Sequence, residues 1–377
     1  MSSNSSGDLC EFEDSFENTI IRNYLIIDVL GIGAFGSIWI CYSLSDNKFR
    51  AIKISPITSD IEEEASKKEV KINKLLNTKK IVKIYDYFTY NKNDNEYFCI
   101  IMELLGCSIY DLIKQNENGL PIHFIEKVIE QTIDILQIIH EHKIIYTDMK
   151  PENILLKGLS NKSKKIINDF KSSDIFKQIK KKPINEIKKL FNKKKTIKKI
   201  DEFEEDYEFP KDLFEDDEKI NIENELENYI NNPQVKLCDF GTCIYFNEYD
   251  KREIQTRYYR APEIILGLDY NYNCDYWSLG CTIYEMLFGK ILFDPKKTDK
   301  CSTNRMHLKL INELIDFIPE EMINKSPKKN LFIRNDKIIK GITNFKQNLL
   351  TNVLDKQQKI IKMMLSFLTI DPENRKK

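Results

Sequence analysis

The sequence predicts an α+β protein in which a small β-rich lobe is followed by a larger helical one. Three observations predict it. Segments rich in Ile, Val, Trp and Tyr, namely Tyr24–Leu30, Ser37–Cys41 and Arg50–Ile54, crowd the first third of the chain. Apolar residues at helical spacing dominate later, in the stripe Ile125, Val128, Ile129, Thr132, Leu136 and Ile139, and again from Tyr276 onward. Between these regions, residues 158 to 234 follow neither period and read as an insertion into a loop.

Composition narrows the class. The 377 residues are 41% hydrophobic and 31% charged, which excludes collagen-like and wholly disordered chains. No uncharged apolar run approaches the roughly 18 residues a membrane helix needs, so no membrane association is expected. The opening MSSNSSGDLCEFEDSFENT is acidic and polar, unlike a signal or transit peptide. Ser2 excludes N-myristoylation. Nine cysteines occur without a CxxC, several within apolar runs such as Tyr97–Ile100. They read as reduced, buried thiols, and the expected location is intracellular, cytoplasmic or nuclear. The net charge of -1 conceals an asymmetry: 15 Lys lie between Gly158 and Ile200, and 14 acids between Asp201 and Glu227. These tracts nearly cancel, so net charge points to no partner, and no direct nucleic-acid binding is expected.

In chain order, residues 1–19 read as a disordered leader, followed by the three strands. Glu62–Leu76 reads as a helix with Ala65, Glu69, Ile72 and Leu76 on one face; Ile81–Tyr90 and Tyr97–Glu103 return to strand. Phe124–His140 is a long amphipathic helix. Without the insertion the chain has the length of one catalytic domain.

Gly31-Ile32-Gly33-Ala34-Phe35-Gly36 lies between two strands. A dinucleotide fold would place a helix after such a loop to hold pyrophosphate, and Ser37–Cys41 is a strand instead. A glycine flap between strands lets backbone amides approach phosphate oxygens, although an ordinary glycine hairpin has the same pattern. Lys53, on the next strand, can reach the α- and β-phosphates, with Ala51 and Ile38 as apolar contacts for adenine; an edge-strand surface lysine is the alternative. Glu69, on the apolar face of its helix, is the candidate carboxylate to hold Lys53, because an unpaired acid there is costly. Glu62–Glu64 read as a solvated helix start.

Tyr146-Thr147-Asp148-Met149-Lys150-Pro151-Glu152-Asn153 is the most specific segment. Asp148 can orient a hydroxyl and take its proton, Lys150 can neutralise a transferring phosphoryl group, and Asn153 offers an oxygen to a hard cation. Pro151 and Asn153 could alternatively cap a turn. Asp239-Phe240-Gly241, after the strand Val235–Cys238, supplies a second metal oxygen. Phe240 is expected to pack inward and Gly241 to permit the turn. Asp239 with Asn153 suits Mg²⁺, which keeps waters and takes few protein ligands.

In this order the motifs resemble the eukaryotic protein kinases. Gln255-Thr256-Arg257-Tyr258-Tyr259-Arg260-Ala261-Pro262-Glu263, Asp275–Gly280 and Asp371–Arg375 extend the likeness from about residue 20 to 377, outside the insertion. The resemblance implies a bilobal protein-kinase-like fold, with an N-lobe over 20–105 and a C-lobe over 106–377 that carries the charged insertion 158–234. It implies in-line transfer of the γ-phosphate of ATP to protein Ser or Thr hydroxyls, with Mg²⁺. Asp148 would be the base, Lys150 the γ-phosphate cation, Lys53 with Glu69 the α/β-phosphate pair, and Asn153 with Asp239 the metal ligands. Thr256 would hydrogen-bond near Asp148 and Lys150. Adenine would lie between Ile38, Ala51 and Leu155, with Glu103 and Leu105 backbone groups at the hinge and Met102 behind. Gly31, Ile32, Gly33, Ala34, Phe35 and Gly36 would cover the phosphates.

Further details resemble the SR-protein kinases within the cyclin-dependent, MAP and dual-specificity group. These are Ser37–Cys41, Glu103–Gly106, Thr147 before the base, Ile254–Arg257, the stretch His307–Pro319 and the large insertion. Arg/Ser-rich proteins are the substrates this implies, for an enzyme expected to act as a monomer. Thr147 stands where kinases carry the arginine that partners a phosphorylated activation loop, so activity without loop phosphorylation is expected. Tyr146 replaces a histidine and reads as packing. Asn73 falls at an apolar spine position, which weighs against either Glu69 or the packing of its helix. The family generally continues through one more helix beyond Lys377, though Arg375 can still pair with Glu263. The insertion reads as a solvated spacer or, alternatively, as a docking tract, with Pro183 interrupting any single helix across Phe176–Phe191. A pseudokinase scaffold and a small-molecule kinase are the rival classes; Thr256–Glu263, a peptide-receiving segment, opposes the latter.

Overall fold

The computed structural model describes residues 15–33, 36–191, 225–248, 253–297, 302–331, 333–334, 337–338, 345–351 and 355–375. They form two compact bodies. The first contains the residues up to Val70 with Lys83–Gly106 and Gly158–Glu225; the second contains Lys71–Val82, Cys107–Lys157 and the chain from Leu226 onward.

The first body is a six-stranded antiparallel sheet: β1 (Ile20–Ile21), β2 (Tyr24–Gly33), β3 (Gly36–Ser43), β4 (Lys48–Pro56), β5 (Ile84–Lys92) and β6 (Asn95–Met102), ordered β1-β2-β3-β4-β6-β5. Side chains alternate between its faces, as the pleat requires. Ile26, Trp39, Cys41, Ile52, Ile54, Cys99 and Ile101 pack on one face together with Phe16. The expected disordered leader 1–19 is therefore corrected for 15–19, which this apolar anchor holds on the sheet, while 1–14 lie outside the described residues. Leu25, Ile27, Ile40 and Tyr42 occupy the other.

The covering of that second face corrects the sequence reading. Much of the insertion is helical: α4 (Asn161–Ser172), α5 (Asp174–Ile179) and a further helix, α6, over 184–191. Ile166, Phe170, Ile179 and Ile187 join the core with Leu25, Ile27, Ile40 and Tyr42. Phe170 and Phe176 set their rings 5.9 and 5.6 Å from that of Tyr42. The lysines that dominated the sequence point outward, so the apolar stripe beneath them was obscured. Ser160 caps α4 by accepting from Ser163 N–H. The Asn161 N–H donates to Glu225 Oε1 at 2.5 Å, fastening the start of the insertion near its end. Pro183 separates α5 from α6 as expected. The first part of the insertion therefore belongs to the sheet body, neither to the helical lobe nor to a solvated spacer; residues 192–224 lie outside the described residues.

The second body is mainly helical. Besides α2 (Ile109–Gln115) it contains α3 (Ile122–Glu141), which buries the expected stripe, and α8 (Asn273–Phe288), which is buried on every side. α7 (Pro262–Leu266), α9 (Thr303–Leu314), α10 (Glu320–Lys325), α11 (Phe345–Leu350) and α12 (Asp355–Phe367) complete it. Short pairs β7 (Ile144–Ile145) with β10 (Ile244–Tyr245) and β8 (Ile154–Leu156) with β9 (Val235–Leu237) frame two loops. The two-stranded pair β11 (Ile333–Arg334) and β12 (Lys337–Ile338) interrupts the helical stretch expected after Tyr276. Arg375 makes a buried bidentate pair with Glu263, at 2.5 and 2.6 Å. Helix α1 (Asp60–Leu76) contributes Asp60–Val70 to the first body and Lys71–Leu76 to the second.

Candidate active site

In the first body, β4 carries Ala51 and Lys53 on one face. Ile38 lies opposite Lys53, and Met102 opposite Ala51. Lys53 Nζ meets Glu69 Oε2 at 2.8 Å, with the Glu69 side chain 5% exposed. An acid so buried is stable only with such a partner, so the pairing that Asn73 placed in doubt is formed. Asn73, in the second body, is buried because its Nδ2 donates to Val82 O at 2.6 Å. The polar residue at the expected apolar position is satisfied by backbone.

The glycines of the loop divide into two kinds. Gly36 has φ 138°, and a Cβ there would meet Ile54 O at 2.4 Å, so the fold itself demands glycine. A Cβ on Gly31 would meet nothing within 4 Å, and one on Gly33 only Gly36 O at 3.9 Å. Packing does not require these two glycines; they leave open backbone beside Ile32, which is 66% exposed. Ala34 and Phe35 lie outside the described residues. Met102 and Leu105 are buried, Glu103 N–H donates to Lys83 O, and Glu103 Oε1 accepts from Lys83 N–H.

The second body assembles the acid–base group. Pro151 opens a short turn, Pro151–Asn153, that leads into β8. Asp148 is 7% exposed, and both of its carboxylate oxygens are engaged. Thr256 Oγ1 donates to Oδ1 at 2.6 Å; Lys150 Nζ and Asn153 Nδ2 reach Oδ2 at 2.8 and 2.9 Å. Lys150 also donates to Thr256 Oγ1 at 3.3 Å. Asn153 gives its other amide proton to Asp148 O, which leaves Oδ1 as its acceptor end. Leu155 is half-buried on β8.

The turn at Asp239 differs from the expectation. Gly241 was to supply the unusual backbone, but Asp239 itself takes it, with φ 57°. A non-glycine residue in the left-handed region carries strain that its surroundings must hold. Phe240 is fully buried, as expected, and its ring lies 5.5 Å from that of Tyr146. Asp239 carboxylate and Asn153 carbonyl oxygens form the hard donor set a Mg²⁺ ion requires, so these residues fit the expected cation.

Sequence reasoning missed what holds this loop. Asp275, fully buried on α8, accepts Tyr146 N–H and His140 Nε2 on Oδ2, each at 2.8 Å, and Thr147 N–H on Oδ1 at 2.8 Å. The available signal was an acid in the first turn of a largely apolar helix. Thr147, itself left-handed at φ 70°, donates Oγ1–H to Thr242 O at 3.0 Å. Tyr146 does more than pack, since its hydroxyl donates to Cys238 O at 2.5 Å.

The site geometry agrees with what the chain resembles. Residues 24–198 and 220–376 match the protein kinase domain model. A serine/threonine-protein kinase, L205, of Acanthamoeba polyphaga mimivirus is 27% identical over 93% of this chain and 84% of its own length. The serine/threonine-protein kinase SRPK of Physarum polycephalum is 27% identical over 99% of this chain and 91% of its own. Human dual-specificity kinase CLK1 is 30% identical over 84% of the chain, which spans 53% of that protein. A crystallised kinase domain, 23% identical, superposes with a TM-score of 0.65 over 96% of this chain and 95% of its own, which supports the fold. The chain belongs to the protein kinase family.

Proposed function

We propose that this serine/threonine kinase transfers the γ-phosphate of ATP to hydroxyls in Arg/Ser-rich protein segments, by in-line displacement with Mg²⁺. The observation that carries the reaction is Asp148, whose carboxylate is fixed by Thr256, Lys150 and Asn153. In this role it orients the substrate hydroxyl and takes its proton as the oxygen attacks phosphorus. Lys150 neutralises charge on the transferring group, and Lys53, held by Glu69, binds the α- and β-phosphates. Asp239 and Asn153 would hold Mg²⁺, which when bound neutralises phosphate charge. Ile38, Ala51, Met102, Leu105 and Leu155 are proposed as adenine contacts. The site is too completely equipped with polar groups for a scaffold-only reading.

The Arg/Ser-rich substrate class is supported by the likeness to the SRPK relative, and a monomeric state is proposed with it. An intracellular location is proposed as well, supported by the thiols of Cys41, Cys99, Cys274 and Cys281, which lie unoxidised in the core. Labelled phosphate transfer to an Arg/Ser peptide and a matched Lys/Ser peptide tests the proposal. The wild type should label the Arg/Ser peptide preferentially, and Asp148→Asn should lose about 10²–10⁴-fold in rate with nucleotide affinity retained. Equal labelling of both peptides would remove the substrate class, and nucleotide binding without transfer would remove the reaction.

A further inference from the structure

One polar cluster of the second body stands apart from the network around the catalytic loop. Glu253, at the start of the segment leading to α7, faces three cations and an amide. Arg260 Nη1 pairs with its Oε1; Arg257 lies 3.6 Å away, Lys328 3.5 Å, and Asn304 Nδ2 3.5 Å. Arg257 is itself anchored to Asn304 Oδ1 at 2.6 Å. His307, buried behind, adds no charge: burial, with Arg260 and Arg257, lowers its pKa to about 3.

From Glu253 a short chain of contacts leads to the base. Arg260, buried to 8% exposure, spends its remaining donors on main-chain oxygens: Nε on Ile254 O at 2.9 Å and Nη2 on Gln255 O at 2.8 Å. Gln255 is left-handed at φ 69°, a strained state for a non-glycine residue. Its side chain helps hold it there, donating to Cys274 O and Ser278 Oγ and accepting from Ala261 N–H. The next residue, Thr256, gives its hydroxyl proton to Asp148. Without the carboxylate of Glu253, Arg260 would be a buried cation with no carboxylate counter-charge among the described residues, close to the further cation Arg257.

We infer that Glu253 is a positioning residue, an internal anion that gathers Arg257, Arg260 and Lys328 and thereby fixes Thr256 against the catalytic base. It supplies from the chain's own sequence the negative charge that a phosphate would otherwise bring to such a cluster. The inference rests on the kinase reading above for its effect on rate, and on geometry alone for its effect on the segment.

The test uses the full chain made in bacteria and shown phosphate-free by mass spectrometry. Glu253→Gln should lower kcat/KM for the peptide at least tenfold while nucleotide affinity stays within twofold. It should also speed amide hydrogen exchange across 254–261, and Glu253→Asp should recover most of the rate. Lys328→Gln, at a position whose side chain is one-third exposed, should produce a smaller loss of two- to threefold. An unchanged kcat/KM or unchanged exchange in Glu253→Gln overturns the inference. If the wild type binds nucleotide but transfers nothing, the kinase reading fails by itself, and the exchange measurement still decides the role of Glu253.

Discussion

Glu285 shows how burial sets the chemistry of one carboxyl. It lies on α8, 3% exposed, and accepts the Tyr259 hydroxyl at 2.7 Å. Burial raises its pKa to about 7, with Glu152 adding to the rise and the Tyr259 hydrogen bond opposing it. The folded state therefore keeps a proton that the unfolded chain has already released above the ordinary value of 4.5. Stability is full below that ordinary value and is lost as pH climbs toward 7, because the native state binds more protons there. The loss is on the order of 3 kcal/mol if the group titrates alone. Glu285→Gln keeps an acceptor for Tyr259 but cannot titrate, so urea unfolding midpoints should flatten between pH 4.5 and 7 in this variant. A slope as steep as that of the wild type would assign the effect to another group.

At the scale of elements, α4 to α6 matter because a sheet with two apolar faces needs two covers. Leu25, Ile27, Ile40 and Tyr42 would otherwise face water, and Ala51, paired with Ile40, lies on the same face as Lys53. The covering helices thus bear on the strands that carry the phosphate lysine. Phe170 is the centre of the contact, ringed by Tyr42, Phe49 and Phe176. Phe170→Ala should cost about 3–5 kcal/mol of the sheet body's stability, the usual range for a buried phenylalanine. Urea unfolding measures it, and a cost below about 1 kcal/mol would mean that α4 is a dispensable cover. Deleting 161–191 should be more severe still, the reverse of what a solvated spacer would give.

For the whole molecule, short-range chemistry was legible in the sequence and long-range packing was not. Asp148, Lys150 and Asn153 could be assigned because five residues of chain fix their relative positions, and strands such as Gly36–Ser43 because alternation is a local signal. The helices of the insertion were hidden because Ile166 and Phe170 sit among lysines, and only the sheet face opposite them reveals their purpose. Asn73 looked like a fault until Val82 O supplied its partner, a contact nine residues away. At Thr147, where the resemblance leads one to expect an arginine, the structure shows what the threonine does. Its backbone N–H is held by Asp275 and its hydroxyl by Thr242 O, so it ties the loop before the base to the segment after Phe240 by neutral hydrogen bonds. An arginine at this position would be a buried cation needing an anion, and a loop phosphate is the anion kinases provide for it. With threonine there is no such charge to satisfy, and Glu253 supplies a carboxylate to the Arg257–Arg260 cluster. Phosphate-free enzyme should therefore phosphorylate peptide at full rate, and prior treatment with an activating kinase should change kcat less than twofold. Enzyme that stays inert until its activation segment is phosphorylated would show that these neutral ties do not suffice to order the segment.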